Sequence, residues 1–385
     1  MKKVLIVLFS VFALFLLVGC NNIDAGDIKV GLIVSAAGAN DNGYNQFAIA
    51  GLNQAKEEFG ITTQVVNTAD DVPGSIETLA EEGFNLIFSL EYNFSALITD
   101  DGSGKSIAEK YPDTVFVVFN AFANTTTGGA KIHENVIEVL FNVNEGSFLA
   151  GALAVLVNEN HNLLFTSNNY NFTPTTTARA VGFVGGTQSD GISVFGYGFA
   201  QGVNHIASEL DVQYSLYETY AAGFGASTEN YNMINSYYTA GANFVFAAAG
   251  GVSTNMKNAA AANKKLAIDV DANQDASVPG SVLTSVLKNT NVAVYDIIEQ
   301  YLDETLESGK HVFYDLASGA TGITDLSVIE GYISTEAAAQ TKWAEIKTRI
   351  NLLATQISNG TIDVIDAQAG EVLNYSTLTH VTKAN

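Results

Sequence analysis

The chain has a single cysteine, Cys20, among 385 residues, so no internal disulfide can brace it. Four prolines and the absence of any long Pro- or Ser-rich tract leave no extended linker, so two domains would have to be joined by several short crossings. Basic residues are scarce. Against 40 Asp and Glu there are 17 Lys and Arg, a formal charge of −23 that repels nucleic acid and anionic headgroups alike. The five histidines (133, 161, 205, 311 and 380) are scattered, and none stands at metal-ligand spacing to another or to Cys20. Gly-x-Ser-x-Gly does not occur. "GFVGGTQSDG" (182–191) lacks the dinucleotide fingerprint, and "AAAGG" (247–251) lacks the Lys-Ser/Thr of a phosphate loop. Neither catalysis, a metal nor a cofactor is expected.

Only one apolar run is conspicuous. Lys2 and Lys3 precede Val4–Val18, interrupted by Ser10, and "LVGC" (17–20) follows. The run is short for a membrane span and fits a secretion signal with a small residue before the cleavage site. "LVGC" resembles the lipobox of bacterial lipoproteins, in which the Cys is lipidated. The expectation is a signal peptide over 1–19 and a lipidated tether over 20–27, and loss of Lys2 and Lys3 takes the charge from −23 to −25. Attachment to a membrane then comes from the lipid on Cys20, facing outside the cytoplasm. A periplasm and the surface of a Gram-positive or wall-less cell are both compatible.

Hydrophobic residues make up 47% of the chain and charged ones 15%, enough to bury real cores at a length that exceeds one usual domain. Apolar runs alternate with helical stretches: "IKVGLIVSA" (28–36), "TTQVVNT" (62–68), "FNLIFSL" (84–90), "TVFVVFNA" (114–121) and "VIEVLFNVN" (136–144). The rhythm repeats through "AVGFVGG" (180–186), "VQYSLYE" (212–218), "NFVFAAAGG" (243–251), "KLAIDVD" (265–271) and "SVLTSVLKN" (281–289), with further strands near 311–315 and 327–333. Runs apolar at nearly every position, separated by helices, predict parallel sheets covered on both faces. The fold class is α/β, with two doubly wound lobes and a ligand cleft between them. The expected lobes are 28–142 with 284–312, and 143–283 with 313–360. Residues 361–385 read as a partly ordered tail, and the Asn/Thr-rich stretch 161–177 as a surface insertion or extended loop.

"NDNGYNQFAIAGL" (40–52) crowds amide, carboxylate and aromatic groups at the end of the first strand, where α/β proteins bind ligands. It resembles the "DxSFNQxAxxGL" segment of the basic membrane protein family: lipoproteins that serve as nucleoside-binding components of ABC transporters, with the type I periplasmic-binding-protein fold. The resemblance continues in order through "YPDTVFVVFN" (111–120), "EGSFLAGALA" (145–154), "VGFVGG" (181–186), "FGYGFAQGV" (195–203), "GANFVFAAAGG" (241–251), "AIDVDANQ" (267–274) and "LTSVLK" (283–288).

In that family a purine nucleoside lies between the lobes, its base between aromatic rings and its ribose hydrogen-bonded by an Asp and a Lys. The resemblance thus implies Tyr44 as the first-lobe ring and Phe224, between Gly223 and Gly225, as the second. The bland alternative is that each packs within its own lobe. Asn45 flanks Tyr44 as a candidate ligand group, and Asp41 is either a base ligand or a helix cap. Asn120 stands where the family usually has Asp; an amide donates as well as accepts, which leaves the base preference open. Gly250 lets a ligand approach the backbone, Asp271 matches the ribose Asp, and Lys288 matches the family Lys, or is a surface Lys with a buried stem. Asp269 sits where the family prefers Gly.

The implied function is capture of a nucleoside, most simply a purine, by a monomeric lipid-anchored protein that hands it to an ABC permease. A sugar binder of the same fold, a non-transporting receptor and a surface adhesin are the alternatives.

Overall fold

The computed structural model describes residues 25–384 apart from 37, 42, 68–70, 91–93, 101, 103, 127 and 128. The expected signal and Cys20 lie outside the described residues. The first half of the chain runs β1 (Lys29–Ile33), α1 (Tyr44–Phe59), β2 (Thr62–Val66), α2 (Val72–Glu81), β3 (Leu86–Ser89), α3 (Ser95–Ile98), α4 (Ile107–Lys110), β4 (Val115–Phe119), β5 (Val136–Phe141) and α5 (Val143–Leu164). There follow β6 (Ala180–Gly185), α6 (Asp190–Glu209), β7 (Tyr214–Thr219), α7 (Thr228–Thr239), β8 (Ala242–Ala248), α8 (Val252–Asn263), β9 (Leu266–Asp271) and β10 (Val282–Lys288). The remainder is α9 (Thr290–Leu302), β11 (His311–Tyr314), β12 (Thr321–Ile323), α10 (Ser327–Glu330), α11 (Ala337–Ser358) and β13 (Val381–Ala384).

These strands form two sheets, β11-β5-β4-β3-β1-β2 and β12-β10-β9-β8-β6-β7-β13. Every pairing is parallel except β10 with β12. Every residue of β5, β6 and β8 is buried, because helices cover both faces, whereas the edge strand β2 is mostly exposed. The predicted α/β class with two doubly wound lobes is the observed one. The β4, β8, β9 and β10 ends named as site-bearing lie at the carboxyl edges of these sheets.

The small residues of "EGSFLAGALA" and "FGYGFAQGV" have a packing cause. Helices α5 and α6 meet backbone to backbone: a Cβ on Gly151 would lie 2.2 Å from the Phe199 carbonyl oxygen, and one on Gly202 1.9 Å from that of Phe148. Only glycine permits so close an approach.

The chain passes between the sheets three times: after β5, after β10 and between β11 and β12. Hydrogen bonds tie these crossings together. Asn142 N–H donates to Tyr314 O (2.8 Å), Asn289 N–H to Ala320 O (2.8 Å), and Leu316 N–H to the Glu145 carboxylate (2.9 Å).

Several expectations need correction. Residues 284–288, placed in the first lobe, belong to β10 of the second sheet, and residues 313–314, placed in the second, belong to β11 of the first. The expected strand near 327–333 begins as helix α10; an apolar run this short carries no usable period. The tail is ordered. β13 adds a parallel strand beside β7, the Tyr375 hydroxyl donates to Glu218 at 2.5 Å, and the Lys383 ammonium meets the same carboxylate at 2.5 Å. The stretch 161–177 is an extended loop after the end of α5, but not a loose one. Phe165, Tyr170 and Phe172 stack on one another and on Phe244 of β8, and the Tyr170 hydroxyl donates to Gly280 O at 2.7 Å.

Candidate ligand cleft between the lobes

The β1–α1 loop is built by its own polar side chains. Asn45 is fully buried, and its amide accepts from Ser35 N–H and donates to Ser35 Oγ and Gly38 O, each at 2.9 Å. Those partners use its hydrogen-bonding groups and seal it off, so the expectation that it meets the ligand is corrected: Asn45 shapes the loop. Asp41 accepts from the N–H groups of Gly43 (3.0 Å), Asn45 (2.9 Å) and Gln46 (3.1 Å), which satisfies donors at the start of α1. Of its two readings the capping role is present, and the residue also lines the cavity described below.

Tyr44 opens α1, half-buried. Its hydroxyl accepts from the Asn120 amide nitrogen at 2.6 Å and donates to Leu90 O at 3.4 Å. Asn120 ends β4 in the left-handed region, with φ 61°, a conformation Asn tolerates better than most residues. Asn120 is 8% exposed, so the site brings Tyr44 and Asn120 into one contact.

Lys288 ends β10 beneath them. Its ammonium lies 5.1 Å from the Tyr44 ring centre, 5.5 Å from that of Phe141 and 5.9 Å from that of Phe195, a cation enclosed by aromatic faces. The snorkelling alternative is excluded, since Lys288 is only 6% exposed. Burial brings its pKa down to about 8, partly offset by the carboxylate of Asp271. Asp271 ends β9, also in the left-handed region with φ 67°. Burial pushes its pKa up to about 6; Lys288 pulls it down, while Asp41 and Asp269 push it further up.

The two lobes approach at this point. A Cβ on Gly43 of the first lobe would lie 3.4 Å from Cβ of Asp271 in the second. Around them lies a cavity of about 490 Å³, within the usual range for small-molecule sites. Asp41, Gln46 and Phe47 line it from the first lobe, and Gly250, Lys257 and Asp271 from the second. A depression of similar size, about 440 Å³, lies over α1 and α9 beside Gln54, Tyr295 and Tyr314, away from the ends of β8 and β9. The cleft is the better candidate because strand ends and helix N-termini from both lobes converge there.

Phe224 is placed differently from expectation. It sits half exposed against Gly186, where a Cβ would lie 2.5 Å from its ring, and its carbonyl accepts from Gly251 N–H at 2.9 Å. It borders Gly250 but is not among the residues lining the cavity, and it does not face Tyr44 across it.

Sequence reasoning missed α8. Ser253 and Thr254 in its first turn and Lys257 in the next line the cavity, and the Lys257 ammonium pairs with Asp269 at 2.8 Å. The i, i+4 spacing of Ser253 and Lys257 directly after the small-residue end of β8 was the available signal. Behind the cleft, buried Asp275 accepts from Ser285 Oγ (2.7 Å) and Thr324 Oγ1 (2.5 Å), pinning the loop that follows Asp271 to β10.

A model of the PnrA-like ABC transporter substrate-binding proteins, the Bmp family, matches residues 28–351. The chain belongs to this family. As a Bmp-family protein it is a substrate-binding component of an ABC transporter, a class of binding proteins and not of enzymes. An ABC transporter nucleoside-binding protein, BmpA of Lactococcus lactis, is 25% identical over 338 residues, covering 80% of this chain and 86% of that protein. An uncharacterized lipoprotein of Pyrococcus abyssi is 25% identical, covering 80% of this chain and 72% of its own. In three dimensions the chain resembles an ABC transporter solute-binding protein of Aeropyrum pernix, with a TM-score of 0.68 at 19% identity over 91% of this chain and 95% of the other, a likeness of fold. Among the described residues no helix is long and apolar enough to cross a membrane.

Proposed function

We propose that this Bmp-family chain captures a nucleoside, a purine most simply, in the cleft between its lobes and delivers it to an ABC permease. The observation that carries the reading is the meeting of Tyr44, Asn120, Lys288 and Asp271 from four separate strand and helix ends at the inter-lobe contact. The name of the Lactococcus relative supports the ligand class. In this reading Asp271 accepts hydrogen bonds from ribose hydroxyls, Lys288 keeps that carboxylate charged, and the Tyr44–Asn120 pair sets one wall for the base. Asp41 contacts the ligand while capping α1, Gly250 admits it close to the backbone, and Phe224 swings over the mouth from the second lobe.

Closure of the lobes about the three crossings is the signal that the permease reads. The lobes are residues 28–141 with 290–314, and 143–288 with 321–384. The protein acts as a monomer outside the cytoplasm, held by lipid on Cys20, and the relatives named lipoproteins support that location. No cofactor or metal takes part.

The test is to purify the chain from Asn21 onward without added ligand, denature it, and identify any released small molecule by mass spectrometry. Calorimetric titrations with inosine, guanosine, adenosine, uridine and ribose accompany it. Micromolar or tighter binding of a purine nucleoside, lost in Asp271→Ala, supports the reading. Binding of ribose alone reassigns the protein to sugars, and binding of none of the five removes the nucleoside assignment.

A further inference from the structure

Two lysines stand near the cleft, and they are used differently. Lys288 is shut beneath three aromatic rings and does not line the cavity. Lys257 does line it, from the second turn of α8, with 12% of its side chain exposed. Its ammonium carries three N–H donors, and the carboxylate of Asp269, 2.8 Å away, holds it in place. Asp269 is two residues before Asp271 on β9, so both carboxylates point from the same side of the strand. One turn before Lys257, Ser253 is 7% exposed and also lines the cavity, and its hydroxyl has no hydrogen-bond partner among the described residues. A buried hydroxyl without a partner is uncommon and points to one supplied from outside the chain.

We propose that Ser253 and Lys257 are ligand-contacting residues that donate to the hydroxyl oxygens of the bound sugar, opposite the acceptor Asp271, and that Asp269 positions Lys257 for this. The inference rests on the nucleoside reading and adds to it a second donor group, on α8, for the hydroxyl-bearing end of the ligand. A vicinal diol suits the arrangement: each hydroxyl donates to Asp271 and accepts from the α8 face. A phosphate does not suit it, because Asp41, Asp269 and Asp271 outnumber the one ammonium on the cavity wall.

The experiment is a calorimetric comparison of inosine with 2′,3′-dideoxyinosine, which keeps the base and lacks both hydroxyls. Lys257→Met alone strands a buried carboxylate, so it is measured with Asp269→Asn in the same chain, beside Ser253→Ala and an exposed-charge control, Lys56→Met. Loss of a charged hydrogen bond predicts roughly 10–100-fold weaker inosine binding in the double variant and a smaller loss in Ser253→Ala. Dideoxyinosine binding should stay within about threefold of the unmutated protein. Asp269→Asn alone should weaken inosine more than dideoxyinosine, and Lys257→Arg should recover part of the difference. Equal losses for both ligands would mean that the pair only supports the fold, and no loss for either would mean that it does not touch the ligand; both outcomes overturn the inference and leave nucleoside binding intact. An unmutated protein that binds neither compound refutes the inference together with the nucleoside reading.

Discussion

The carboxyl group of Asp271 should make ligand binding depend on pH in a calculable way. Its pKa stands at about 6 against an ordinary 3.8. That difference of about two units means that the folded protein holds the ionised form at a cost of about 3 kcal/mol. The sign follows from linkage: between pH 3.8 and about 6 the folded state binds more protons than the unfolded one, so the protonated group's stabilisation is lost as pH rises through that window. Binding has the opposite slope, because only the carboxylate accepts from two hydroxyls. Nucleoside affinity should therefore be flat from pH 8 to 7 and weaken about tenfold by pH 5. Asp271→Asn should bind weakly at every pH with no such slope. Lys288→Met removes the neighbouring positive charge, so the midpoint of the affinity loss should move above that of the unmutated protein. Calorimetric titration across pH 8 to 5, with circular dichroism to show that the fold persists, provides the measurement. Affinity unchanged down to pH 5, or a slope that survives in Asp271→Asn, refutes the argument.

Other perturbations report on the scaffold. Lys265 is buried against Thr173 Oγ1, Tyr238 O and Ala242 O, and its pKa is down to about 8 from 10.5; because the unfolded chain holds its proton longer, stability should rise between pH 8 and 10.5, by up to about 3 kcal/mol. Thermal melts should show this rise, and a flat profile in the unmutated protein counts against it. Gly202→Val places side-chain carbons against the Phe148 carbonyl and should cost roughly 3 kcal/mol or more in denaturant unfolding; a cost below about 0.5 kcal/mol contradicts the α5–α6 contact. Asn45→Ala should lower stability by about 1–3 kcal/mol and weaken ligand binding through a loosened β1–α1 loop, whereas loss of binding at unchanged stability would restore it as a contact residue.

Much of the fold was legible because strands buried on both faces leave unbroken apolar runs such as "VFVVF" and "AVGFVGG". The misses have equally local causes. β12 is three residues long, and β13 ("VTKA") has two exposed positions, so neither carries an apolar signature. In "SVIEGYI" the apolar residues fit a strand as well as a turn of helix, and the structure chose the latter. At the site, Tyr44, Asp271 and Lys288 were readable from segments in register with a family. Asn45 was misassigned because an amide next to a ligand ring and an amide that ties a loop look alike in sequence. The α8 residues were invisible for a different reason: nothing in "VSTNMKNAAAAN" says which face meets the other lobe.

The three passages between the sheets bear on what a protease can do. Neither lobe is one continuous piece of chain, since β11 lies far along the sequence from the strands it joins, and β10 and β12 flank it in the opposite sheet. A single cut in the segment between β5 and α5 still leaves two covalent connections, together with the bonds from Asn289 to Ala320 and from Leu316 to Glu145. A nicked molecule should thus run as two fragments only under denaturing conditions, and otherwise migrate and melt as one body.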